Sequence, residues 1–159
     1  MKPIFYNIVL LSLFSITLFS CASTSKNTAT ISEETLKTRF VFKAQSATPA
    51  NGGIINLSPG YEFKLTKDSL STYLPYYGRS YTAPTDINSG GIRFISTHFN
   101  YNVIERKDNN GWDVDINPSD AGDVRQMYLT VSPDGYASLR VTSTNRQVIS
   151  YNGYVTKER

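Results

Sequence analysis

From Phe40 to Val155 apolar and polar side chains alternate in short runs, each ended by turn-forming residues, and this is the signature of half-buried β-strands. Phe40, Phe42 and Ala44 fall on one face, with Val41, Lys43 and Gln45 on the other. Ile54 to Leu57 predicts a short strand closed by Pro59-Gly60, and Tyr61, Phe63 and Leu65 predict the next. Leu70, Tyr73 and Leu74 precede Pro75, which marks an edge strand or the end of pairing because proline has no N–H to give a ladder. Ile92 to Lys107 reads as one long or bent strand, or as two. Asp108-Asn109-Asn110-Gly111 and Pro133-Asp134-Gly135 are hairpin turns, since glycine and asparagine tolerate positive φ. Between and after them, Trp112/Val114/Ile116, Met127/Leu129/Val131 and Ala137/Leu139/Val141 point inward, and Gln147 to Val155 closes the chain.

About eight or nine strands result, with no strand–helix–strand alternation, so the fold class is mainly β with a single antiparallel sheet. A strongly curved half-barrel or barrel fits this pattern. One short helix is predicted over residues 31–38, opened by a capping box of Thr30 with Glu33. A helix that short cannot cover an open sheet. Either the sheet curls on itself or its open face binds something. The stretch from Thr82 to Gly91 is the longest predicted loop.

The first thirty residues follow another rule. Lys2 precedes an apolar run from Ile8 to Phe19, long enough for a secretory signal and too short to span a bilayer. Leu18-Phe19-Ser20-Cys21 resembles the lipobox of bacterial lipoproteins. The resemblance implies a signal peptide over residues 1–20, cleavage before Cys21, and acylation of its thiol (typically with palmitate) and its new amino terminus. Two or more acyl chains anchor a protein stably where one does not. Residues 21–30 then form a polar tether, and residues 31–159 a single β-rich domain.

Composition narrows the function. A formal charge of +3, falling to +2 once residues 1–20 are removed, is too small to point to nucleic acid, and Lys and Arg are scattered along the chain. One Cys excludes an intrachain disulfide, and one Cys with one His excludes the usual zinc sites. No glycine-rich loop leads from a strand into a helix to cradle phosphate. No cofactor and no metal are expected.

Tyr73-Leu74-Pro75-Tyr76-Tyr77-Gly78-Arg79-Ser80-Tyr81 is the most distinctive stretch. With Gly90-Gly91-Ile92-Arg93-Phe94 and Asn145-Arg146-Gln147-Val148-Ile149-Ser150-Tyr151-Asn152-Gly153 it resembles the Bacteroidetes lipoproteins grouped as domain of unknown function 4251, over roughly residues 35 to 156. That resemblance implies an envelope lipoprotein with no assigned activity, and it brings no site residues with it. The residues after Cys21 lack the acids that surface-exported lipoproteins of that phylum carry, so an outer-membrane anchor facing the periplasm is expected.

Tyr76, Tyr77 and Tyr81 around Arg79 fit an aromatic platform with a cation beside it, suited to flat ligands or sugars. The plainer reading, and the one the residues favour, is that two of these rings are core and Gly78-Arg79 is a turn held by their packing. His98, the single histidine, could serve as a general base, but the reading the sequence favours is an ordinary polar residue on a strand face. Asp113, Asp115, Asn117, Asp120 and Asp123 begin like a calcium loop, yet Pro118 stands where glycine is needed and Val124 where the closing glutamate belongs. Asp113 and Asp115 are expected on a solvent face with Lys or Arg opposite. The sequence therefore favours a non-enzymatic binding or interaction module that uses Tyr76, Tyr77, Arg79 and Tyr81. A structural or assembly lipoprotein without a small-molecule ligand is the alternative, and a hydrolase using Asp and His98 ranks last. Partners are expected to be the membrane, through Cys21, and an envelope component or protein.

Overall fold

The structure is a computed structural model that describes residues 31–82, 90–107 and 110–158. The signal segment, Cys21, Thr30, most of the 82–91 loop and part of the 108–111 turn lie outside the described residues. One short helix, α1 (Glu33–Thr38), precedes ten strands: β1 (Phe40–Pro49), β2 (Ile55–Asn56), β3 (Glu62–Leu65), β4 (Leu70–Pro75), β5 (Gly91–Ser96), β6 (Phe99–Glu105), β7 (Trp112–Pro118), β8 (Val124–Val131), β9 (Tyr136–Ser143) and β10 (Ile149–Lys157). The N-cap is Ser32, whose Oγ accepts from Thr35 N at 3.3 Å. It lies two residues beyond the expected Thr30, because Ser32 is the residue left in extended backbone just before the first helical turn.

All strands share one antiparallel sheet in the order β5-β4-β3-β1-β10-β9-β8-β7-β6, with the two-residue β2 added on β1. The sheet is nearly closed into a barrel. Pro75 ends β4 opposite Gly91, and β4 is paired on both sides, so the proline marks the end of pairing and not a sheet edge. Every step of the path is antiparallel, so its two end strands, β5 and β6, run in the same sense. Thr97-His98 is therefore a kink in one long strand and not a hairpin. Its first half pairs with β4 and its second half with β7. A bent strand that changes partner is a usual way to close a curved sheet.

That kink leaves one edge of each half without a ladder, and side chains take the missing places. Gly91 O accepts from Arg146 Nη1 at 2.8 Å, and Thr97 N donates to Asp120 Oδ2 at 3.2 Å. Beside β6, α1 lies over the gap, buries Leu36, and takes a 2.6 Å hydrogen bond from the Tyr101 hydroxyl at Lys37 O. Covering an edge in this way is one of the devices that blunt pairing with another chain's strand.

The inward residues of the strands fill the interior. Phe40, Phe42, Phe63, Leu65, Met127 and Leu129 are fully buried, with Phe63 edge-on to Phe40 at 5.5 Å between centroids. Thr72 also points inward, and its Oγ1 has no hydrogen-bond partner among the described residues. A buried unpaired hydroxyl costs free energy that valine of similar shape avoids. Thr72→Val is expected to stabilise the protein by about 1 kcal/mol. A lower midpoint in urea unfolding would show that Oγ1 is satisfied in solution.

Candidate functional site

The tyrosine-rich stretch begins where β4 ends. Tyr151, fully buried on β10, donates its hydroxyl to Pro75 O at 2.5 Å, and burial pushes that phenol's pKa well above its ordinary value. The chain then turns away from the sheet. Tyr76 is half-buried, its hydroxyl 2.9 Å from the carbonyl oxygens of both Arg79 and Gln147. Burial raises its pKa while the nearby Arg146 cation opposes the rise. A Cβ at Gly78 would strike that hydroxyl and ring, so a larger residue there would have to push the Tyr76 side chain off its two carbonyl partners.

Residues 79–81 then lie against 145–147 as a strap. Gln147 N donates to Arg79 O at 3.0 Å, Tyr81 N donates to Asn145 O at 2.8 Å, and Ser80 bridges Arg146. Arg79 N also donates to Gln147 Oε1 at 3.3 Å. With the backbone held at these points, three side chains project outward: Tyr77, Arg79 and Tyr81, the last 69% exposed. Of the four predicted site residues, then, Tyr76 is a structural pin, whereas Tyr77, Arg79 and Tyr81 stand on the surface.

Arg146 holds this end of the barrel together. Its Nε and Nη2 contact Asp123 Oδ2 and Oδ1 at 2.7 and 2.5 Å, its Nη1 reaches Gly91 O, and its Cζ stands 5.2 Å from the Tyr76 ring centroid. One guanidinium thus ties the β9–β10 turn to the β7–β8 loop, the start of β5 and the strap. Bidentate pairing of this kind needs arginine's planar fork. The sequence showed only a turn, Thr144-Asn145-Arg146, because the three partners lie 23, 55 and 70 residues away.

The acidic residues do not converge. Asp113 accepts from Thr130 Oγ1 and Asp115 from Gln126 Nε2, so polar neutral residues stand where Lys or Arg was expected. Cross-strand hydroxyl and amide donors satisfy these carboxylates without an ion pair. Asp123 belongs to Arg146, and Asp120 belongs to the kink. Among the described residues no group of three or more His, Cys, Asp or Glu could hold a metal ion.

At the kink, Asp120 accepts from Ser96 Oγ and Thr97 N, and His98 Nδ1 lies 3.2 Å from its Oδ2. Ser96 is fully buried and its hydroxyl meets the aspartate, while the His98 side chain is 77% exposed. A nucleophile–base pair requires the serine hydroxyl to meet the histidine. Here the carboxylate sits between the two, so the Ser96 hydroxyl does not meet His98 and the arrangement fastens a bend. The Ser96 hydroxyl above all, then Thr97 N–H and His98, hold the Asp120 carboxyl down at about 2 against the opposing effect of desolvation. A depressed folded-state pKa contributes stability above the ordinary value of 3.8, and that contribution is lost as pH falls through about 2. Asp120→Asn is expected to lower the melting temperature above pH 4 and to converge with wild type near pH 2. Parallel melting curves for the two proteins across that range would remove the kink-fastening role.

With the architecture in view, comparison with known proteins gives one positive result. The family described as a domain of unknown function (DUF4251) matches residues 22–155. The chain belongs to this family. The matched span takes in the helix, the strap, the kinked strand, Arg146 and all but the last two residues of β10. No curated protein matches the chain.

Proposed function

We propose that this DUF4251 protein is a lipoprotein of the Bacteroidetes envelope, anchored through Cys21 to the outer membrane and facing the periplasm. Its barrel is a non-enzymatic binding or interaction module. The observation that carries the binding role is the strap: Arg79 and Tyr81 are exposed on a backbone pinned by hydrogen bonds to residues 145–147, with exposed Tyr77 just before it. Rigid exposed aromatics beside an arginine lose little conformational freedom on contact, and such residues dominate binding surfaces. The support for the anchor is the lipobox-like Leu18-Phe19-Ser20-Cys21.

The filled interior favours a second reading, in which the barrel is a structural or assembly element with no small-molecule ligand. Tyr77→Ala/Arg79→Ala separates the two, because these side chains are exposed and the exchange leaves the Tyr76 pin intact. The binding role expects a discrete envelope component, retained by wild type in a pull-down at matched loading, to be lost with the double variant while the melting temperature stays unchanged. Equal retention by both proteins defeats the strap as a binding surface. For the anchor, radiolabelled palmitate is expected in the wild-type protein and not in Cys21→Ser. Equal labelling removes the lipoprotein assignment without touching the binding role.

A further inference from the structure

Away from the strap, toward the other end of β9, the sheet register creates a groove. Thr130 pairs with Ser138, Ser138 with Asn152, and Asn152 with Ser46, so small uncharged polar residues form one row across four strands. The next outward positions along the strands are bulkier. Tyr128 pairs with Arg140 on one side of the row, and Tyr136 pairs with Tyr154 on the other. The result is a surface trough of about 290 Å³ with a low polar floor and the Tyr136 ring at its side.

A β-bulge shapes its far end. The register of β1 against β10 shifts between Ala44 and Ser46, which leaves Gln45 as the extra residue and turns its exposed side chain into the trough. Opposite it, Gly153 contributes bare backbone to the floor, since a Cβ there would fall on Lys43 O. None of the eight residues lining the trough carries a formal charge, and Tyr136 presents a ring that is 63% exposed.

The geometry points to a second binding site here, for a neutral saccharide chain. Hydroxyl and amide groups that both donate and accept match sugar hydroxyls. An exposed tyrosine ring gives the apolar face of a pyranose something to lie on. The lining itself carries no charge, with Arg140 one row outside it, and this disfavours phosphate or carboxylate ligands, which recruit arginine or lysine. The floor also repeats at the strand spacing of about 4.8 Å, of the order of one sugar ring, so successive units of a chain crossing the strands meet successive polar groups. This inference does not rest on the strap, which lies at the other end of the wall.

The test is a ¹H–¹⁵N chemical-shift titration of the protein with neutral pentasaccharides of glucose, mannose and N-acetylglucosamine. At least one is expected to shift the Ser138, Asn152 and Gly153 amides together and saturably, with an affinity unaffected by added salt. Asn152→Ala and Tyr136→Ala are each expected to weaken that binding about tenfold, with the melting temperature unchanged. Ser138→Tyr, which fills the floor, is expected to abolish it. The site is overturned if none of the probes moves these amides, if shifts centre elsewhere, or if the variants bind like wild type. An affinity that collapses with salt overturns the neutral-ligand assignment.

Discussion

Replacing Arg146 with alanine is expected to destabilise the protein by about 3 kcal/mol, the low end of the range for removing one partner of a buried ion pair, because this pair is partly buried. For a domain of this size that lowers the melting temperature by roughly 10 °C. The side chains of Arg146 and Asp123 are 13% and 22% exposed, so the aspartate left behind has little water to replace its partner. The same exchange deprives Gly91 O of its donor and the Tyr76 ring of its cation, at the place where β5 has no strand beside it. Lysine keeps the charge, but one ammonium cannot reach Asp123 in two places and Gly91 as well, so Arg146→Lys is expected to recover less than half of the loss. The double variant Arg146→Ala/Asp123→Ala should be more stable than the two single effects summed, because it removes the stranded carboxylate. Amide exchange should also quicken at Tyr81 and Gln147, whose N–H groups pin the strap. A melting temperature within a degree or two of wild type for Arg146→Ala would show that the pair adds nothing to closure.

What the chain reveals in advance follows the range of the interactions concerned. Alternation is local, so Phe63/Leu65 or Leu139/Val141 declare their strands and faces unaided, and the bent strand over 91–105 shows as a mixed apolar and polar stretch with no glycine or proline turn inside it. A fully paired β4 is less visible, because Pro75 looks the same at a sheet edge as at the end of a ladder. The roles of single polar residues are set by partners distant in sequence. Asp120 and Asp123 look alike in sequence, yet one fastens the kink and the other meets Arg146. Tyr76 and Tyr77 are adjacent tyrosines, and the turn over Gly78 buries one hydroxyl and exposes the other ring. The polar trough was equally hidden: Thr130, Ser138 and Asn152 line up only once the register of three strands is known. Of these features, the bulge at Gln45 had a usable clue, since Ala44 and Ala47 are both buried and a regular strand alternates at every second residue.

Gly153→Ala should be as damaging as the loss of Arg146, at about 3 kcal/mol, the upper part of the range for forced overpacking. The β1–β10 pair joins the first strand to the last and so links the two halves of the sheet, β5-β4-β3-β1 and β10-β9-β8-β7-β6. At the bulge the two backbones approach so closely that an alanine Cβ would fall on Lys43 O, with Lys43 C at 2.9 Å and Ala44 Cα at 3.1 Å. These are main-chain atoms held in a ladder on both sides, so they cannot swing aside as the end of a flexible side chain would. Gly60→Ala is the informative control. Gly60 has φ of +110° with nothing within 4 Å of the added carbon, so alanine there brings backbone strain of about 1–2 kcal/mol and no collision. Urea unfolding of both variants separates the two causes: a collision makes Gly153→Ala clearly the worse, with the Gln45 and Asn152 amide resonances displaced as the strands part. Equal costs at the two positions would mean that the strands separate freely at the bulge, and that the closeness of β1 to β10 is not what requires glycine.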